Sequence, residues 1–171
     1  MRRSKEIPTA TTSYRAVELE RRFAAANGDV IAFVQGLTDD DWCAPCEREG
    51  RSVGQVVEHI AAGHLIIGGI VEAMALGSPL PVAARRTQAT GARYNARQAA
   101  RFADRSRKDG LRSLRRNGGI VARFLASLTD EQLDRAIDTA EGPITTRDEI
   151  EHGLIGHALG HIEAVRETVA R

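Results

Sequence analysis

The chain is poor in aromatic residues, nearly empty of lysine and carries only two cysteines. Each shortage removes a class of function. Aromatics make up 4% of 171 residues, so the ring platforms on which bases stack in single-strand binders are scarce. Cys43 and Cys46 form one C-x-x-C and cannot make the disulfide framework of a small secreted scaffold. A redox or zinc role for the pair needs a βαβ setting or a second ligand pair. Neither is evident, so they read as two reduced loop thiols. No apolar run approaches the roughly 18 residues that span a bilayer. Arg2, Arg3 and Lys5 make the start basic, but no hydrophobic segment follows, so it does not read as a signal peptide. The expected compartment is the cytoplasm, with no membrane partner.

Hydrophobic residues at 42% and charged residues at 27% describe an ordinary soluble composition. Ala, Leu, Arg and Glu dominate, and few β-branched runs alternate with polar residues, which favours helix. The length suits one domain, able to bury a core without staples. Residues 1–12, with Pro8 and a Thr-rich stretch, read as a flexible leader, and 13–171 as a single helical domain.

A helical pattern starts near Ser13. Val17, Leu19, Phe23, Val30, Ile31, Phe33 and Val34 recur at roughly helical spacing as far as Leu37. Thr38–Trp42 reads as a turn or short helical piece, followed by a loop with Pro45 and Gly50. Ser52 and Gln55 have the spacing of a capping box, opening a second helix that Gly77-Ser78-Pro79 stops near Leu76. Residues 78–92 read as a loop. The third helix is expected from Arg93 towards Ser127, broken or bent at Gly110 or at Gly118-Gly119. Thr129–Gln132 and Thr146–Glu149 are two further capping boxes with an extended loop, 136–145, between them. The second of these opens a last helix. The two halves echo one another: a helix, a Leu-Thr-Asp turn, a loop, then a capped helix carrying histidine. Four long helices argue for an all-α four-helix bundle. The long loop between the second and third helices is free to cross the bundle.

The formal net charge of +1 is unevenly spread. Between Arg85 and Arg123 twelve basic residues face two acidic ones, Asp104 and Asp109. Such a stripe can attract phosphates or carboxylates, or it is simply a solvated face. Nucleic acid is not an expected partner, because only Tyr94, Phe102 and Phe124 interleave with these arginines.

All five histidines fall in the second and fourth helices. His157 and His161 stand at i, i+4 and share one face. At about 100° per residue, His152 faces elsewhere, and only one of His59 and His64 can join the pair across a bundle. Periodicity favours His59, which shares a face with Val56, Ala62, Gly63 and Ile66. Three buried imidazoles need their nitrogens satisfied, and one divalent metal would do so; zinc, nickel and cobalt all suit imidazole. Spacing alone leaves open that they are core or surface histidines.

Two motifs narrow the choice. Ser52-Val53-Gly54-Gln55-Val56-Val57-Glu58-His59-Ile60-Ala61-Ala62, preceded by Leu37-Thr38-Asp39-Asp40-Asp41-Trp42, resembles the second-helix motif of DinB-like proteins. The stretch 153–166, G-L-I-G-H-A-L-G-H-I-E-A-V-R, resembles their last-helix motif, with two histidines separated by three residues. The resemblance covers roughly residues 15–168. It implies a four-helix bundle with a His-triad metal site at one end. Carried over residue by residue, the ligands are His59, His157 and His161. The superfamily includes mycothiol-dependent maleylpyruvate isomerases and bacillithiol transferases.

Three protein ligands with open positions is the arrangement of a catalytic metal. The resemblance implies thiol transfer or thiol-dependent isomerisation of a small electrophile, with a low-molecular-weight thiol as cofactor. A metal-bound hydroxide would instead support hydrolysis, and three imidazoles do not distinguish the two. Arg93, Asn95 and Arg97 on the basic third helix are candidates to contact an anionic cofactor or small-molecule substrate. Glu58 and Glu163 adjoin the ligands in sequence and so point away from the metal. The alternative is a non-catalytic protein in which the metal braces the bundle or a ligand pocket. A homodimer is compatible with a bundle of this kind.

Overall fold

The structure is a computed structural model that describes residues 13–85 and 88–170. The expected leader, 1–12, lies outside the described residues. Helix α1 spans Tyr14–Gly36 and is capped by Ser13, whose hydroxyl accepts from the Ala16 N–H. Its buried stripe, Ala16, Leu19, Phe23, Val30 and Val34, has the spacing of a helix packed on one side. Val17 instead faces solvent. Gly28 does not end the helix.

A capping box of Thr38 and Asp41 opens the short α2 (Asp39–Cys43), which delivers Trp42 into the core. A minimal hairpin follows. Strand β1 (Pro45–Cys46) pairs antiparallel with β2 (Arg51–Ser52), and between them lies a 3₁₀ turn, Glu47–Glu49. The Ser52–Gln55 box then starts α3 (Val53–Leu76), and Gly77, at φ +64°, ends it.

The segment expected as a loop is partly helical. After a 3₁₀ turn at Val82–Arg85, α4 runs from Gln88 to Arg101, so the third helical region starts earlier than residue 93. It breaks at Phe102–Ser106, not at a glycine. Ser106 and Asp109 form a capping box that restarts the chain as α5 (Arg107–Leu125), and the Trp42 indole N–H donates to the Arg105 carbonyl in the break, 2.9 Å. Gly110 and Gly118 stay inside α5 because each is a point of close approach. A Cβ at Gly110 would lie 2.6 Å from the Trp42 ring, and one at Gly118 would clash with the Asn27 amide.

The short α6 (Asp130–Asp134) follows the Thr129–Gln132 box. Residues 136–145 are an antiparallel hairpin, β3 (Ala136–Thr139) with β4 (Gly142–Thr145), paired Ala136 to Thr145 and Ile137 to Ile144. The cap of the last helical region is Thr145, with Asp148, one residue before the expected box. Thr146 is buried, and its hydroxyl donates to the Arg135 carbonyl. That region consists of α7 (Thr146–Asp148), a π-helical stretch Glu149–Ile155, and α8 (Gly156–Val169).

The packing pairs α1–α5, α5–α3, α3–α8 and α8–α1 close a ring of four, a four-helix bundle. Two apolar clusters fill it. One gathers Leu37, Trp42, Val56, Ile60, Leu114 and Ile162, and the other Leu19, Phe23, Val71, Leu125, Ile150 and Leu154. In contrast to the expectation of no such run, Val53–Leu76 is long and apolar enough by composition to cross a membrane, with a mean hydropathy of 1.5. Half of that stretch is packed inside the bundle, and burial on several sides accounts for its hydropathy.

Candidate metal centre

The cap at Ser52 sets the phase of α3. His59 then falls two turns along, facing α8. On α8 His157 and His161 stack one turn apart. The π stretch just before them inserts an extra residue into the turn, a feature frequent near functional sites. The three rings meet, with centroids 5.1 Å apart for His59–His157, 4.8 Å for His59–His161 and 4.5 Å for His157–His161. One ligand atom from each lies within 4.8 Å of the others, and all three residues are half-buried. The structure thus brings together the three histidines expected from the sequence. Gly63 makes this possible, since a Cβ there would collide with the His157 ring. The missing side chain on α3 is the space that ring occupies.

Two neighbours orient the rings. Gln98, buried on α4, accepts through Oε1 from His59 Nδ1 at 2.6 Å, and its amide nitrogen donates to the Tyr94 hydroxyl at 3.3 Å. Glu49, on the turn between β1 and β2, takes His161 Nδ1 at 2.8 Å. Gly50, at φ +63°, reverses the chain directly after it. With Nδ1 as the donor in both rings, the Nε2 atoms of His59 and His161 are left as lone pairs. Carboxylate or amide support of the far ring nitrogen is the usual outer contact of a metal-bound histidine.

The electrostatics agree. Burial, with the His161 and Arg51 charges in support, holds the His59 pKa below its ordinary value against the opposing pull of Gln98 and Glu49. His157 is pushed down to about 3, first by burial and then by His161, His59 and His64. Both rings are therefore neutral at neutral pH, the form that binds metal. His157 Nε2 and His59 Nε2 are 3.3 Å apart. Two nitrogens about 2.0–2.1 Å from a tetrahedral metal are separated by about 3.3 Å. Converging lone pairs in a half-buried site repel unless a cation or proton lies between them. The donor set therefore fits one divalent ion, and imidazole ligands suit zinc or nickel.

Other residues fall away from this point. His152 is exposed and groups with Asp148 and Glu151. There Asp148 serves as a helix cap and Glu151 pairs with Arg22 and Arg147. His64 is fully buried and bonds Asn27 at 2.9 Å. Glu58 points away and pairs with Arg105 at 3.0 Å, and Glu163 pairs with Arg166 on the surface. Cys43 is exposed, Cys46 is buried, and both are free thiols. Arg97 lines a cavity of about 500 Å³ beside His59, with Gln98 in its wall; Arg93 and Asn95 are not among its lining residues. Glu49 and Gln98 were not anticipated from the sequence, and Gly63, placed there on the His59 face, was not read as the space for the His157 ring. Gln98 adjoins Arg97, which was anticipated, but nothing in its spacing marks it as a partner of His59.

A family model described as the DinB superfamily matches residues 22–165. No curated protein matches the chain in sequence. Among solved structures, YfiT from Bacillus subtilis is similar, with a TM-score of 0.63 and 20% identity over 99% of this chain and 94% of that chain. YfiT is described as a probable metal-dependent hydrolase with an unusual four-helix bundle topology. At that identity the likeness shows the fold. The match over residues 22–165 shows the family: the chain belongs to the DinB superfamily.

Proposed function

We propose that this member of the DinB superfamily is a metal-dependent enzyme of thiol-transfer or thiol-dependent isomerase type. Its substrate is a small electrophile, and His59, His157 and His161 hold its one divalent ion, zinc or nickel. The observation that carries the reading is the convergence of three ring nitrogens within 4.8 Å, with the far nitrogens of His59 and His161 already taken by Gln98 and Glu49. Three protein ligands leave positions for exchangeable groups, which a bracing metal does not require. An ion bound there lowers the pKa of a thiol or water brought to it.

The chain's own residues do the rest. Gln98 and Glu49 fix ring tautomers, Gly63 makes room for His157, and the apolar residues around α3 and α8 keep bulk water from the ligands' flanks. Arg97 and Arg101 of α4 line a cavity that has Gln98, the partner of His59, in its wall, which supports an anionic cofactor or substrate beside the centre.

A second reading, hydrolysis, is favoured by the description of YfiT, which shares the fold. One assay separates the readings. Metal-loaded protein is given 1-chloro-2,4-dinitrobenzene with and without a small thiol, and separately a p-nitrophenyl ester, beside His59→Ala. Thiol-dependent turnover lost in the variant supports the proposal. Ester turnover without thiol, lost in the variant, replaces it with hydrolysis. Tightly bound metal with neither activity supports the non-catalytic brace.

A further inference from the structure

The cavity beside His59 has a composition that selects its ligand. It measures about 500 Å³, within the range of small-molecule sites. Leu65, Ile66, Tyr94 and Phe102 give it an apolar and aromatic wall, and Arg97 and Arg101, one helical turn apart on α4, supply its charge. Among the described residues no acidic one lines it. Among the described residues neither guanidinium has an ion pair or hydrogen bond, whereas Arg105, Arg107 and Arg112 on the same basic stretch each face a carboxylate. Unpaired arginines beside an apolar wall suit a carboxylate with a hydrophobic body, since guanidinium matches a carboxylate in a planar, two-point fashion.

The cavity also shares a wall residue with the surroundings of the candidate metal centre. Gln98 lies in its wall while its Oε1 holds His59 Nδ1, and Ala62, also in the wall, is one turn of α3 beyond His59. Asn117 closes the far side, its amide anchored on the Ala61 carbonyl at 2.8 Å.

We infer that this cavity binds a small carboxylic acid with an aromatic or branched apolar body, its anion between Arg97 and Arg101. That the acid is the electrophilic substrate rests on the proposed function; that it binds does not. The test uses 1-naphthylacetate and its neutral analogue 1-naphthylacetamide as probes, titrated by calorimetry into wild type, Arg97→Gln/Arg101→Gln and chelator-treated protein. The expected result is acetate binding at least about tenfold tighter than the amide, with that preference lost in the double variant and kept after chelation. Both arginines are exposed, so the double variant is expected to fold, and a circular dichroism spectrum checks it. Equal binding of the two probes, no binding of either, or a preference that survives in the double variant would overturn the inference. So would loss of acetate binding on chelation, because the anion would then sit on the metal. Metal content measured on the same samples reports the metal reading separately: a loaded protein without probe preference sinks only the cavity, and a metal-free protein that keeps the preference sinks only the metal.

Discussion

Two imidazoles five residues apart on α3, one half-buried and one fully buried, have opposite surroundings. His59 meets His157 and His161, and its Nδ1 is taken by Gln98, so its remaining lone pair joins a cluster of others. His64 is more deeply buried, packs edge-on against Phe23 and bonds Asn27, yet its second nitrogen has no partner among the described residues and no other imidazole shares its contacts. Burial depresses both pKa values, and His64 falls to about 4. A depressed pKa therefore does not mark a ligand in this protein. Each ring has one nitrogen held by a side-chain amide, so what separates the two is where the remaining lone pair points: at His59 it converges with two other imidazoles, and at His64 it does not.

Substitutions that change one region and spare the other test this contrast. The largest effect is expected from Gly63→Val, which fills the space of the His157 ring. Metal affinity should fall by more than about a hundredfold while the fold, read by circular dichroism, persists. Glu49→Gln and Gln98→Ala leave all three ligands in place but loosen a ring, and each should cost about 10- to 100-fold in affinity, measured by competition with a chromophoric chelator. His64→Phe should leave affinity within about twofold of wild type, since it touches no ligand support.

Acid offers a further test in metal-free protein. The folded state keeps His64 neutral down to about pH 4, whereas an unfolded histidine protonates near its ordinary 6.5. The unfolded chain therefore binds the proton first. Stability should fall as pH drops from about 6.5 to about 4, by on the order of 3 kcal/mol from this residue. His157 shifts in the same direction and should add to the slope. In urea titrations His64→Phe should be less stable than wild type at pH 7, because the Asn27 carbonyl loses its donor, by about 1–3 kcal/mol. The gap should narrow at pH 4.5. An unchanged gap would show that His64 does not titrate as its burial requires.

Much of this was legible in the sequence because it depends on local rules. Capping boxes at Ser52 and Thr129 put helix starts where they are found, and i, i+4 spacing placed His157 and His161 on one face. The failures came from tertiary contacts. Gly110 and Gly118 look like helix breakers, but Trp42 and Asn27 occupy the space their absent side chains leave. The true break at 102–106 is fixed by a cap at Ser106 and by the Trp42 indole, 63 residues away in sequence. Residues 136–145 were legible as extended but not as paired strands, since neither strand buries a residue fully: β3 alternates only between exposed and partly buried positions, and β4 does not keep the alternation. Glu49 and Gln98 reach the histidines from a turn and a separate helix, which no periodicity on α3 or α8 can report.

The most direct test of the metal centre is elemental analysis of purified wild type, His59→Ala, His161→Ala and His64→Ala, each checked for helix content. The account predicts about one equivalent of a divalent metal in wild type and in His64→Ala, and its loss in the other two. A folded wild type that takes up neither zinc nor nickel, or His59→Ala and His161→Ala proteins that hold as much metal as wild type, would contradict it.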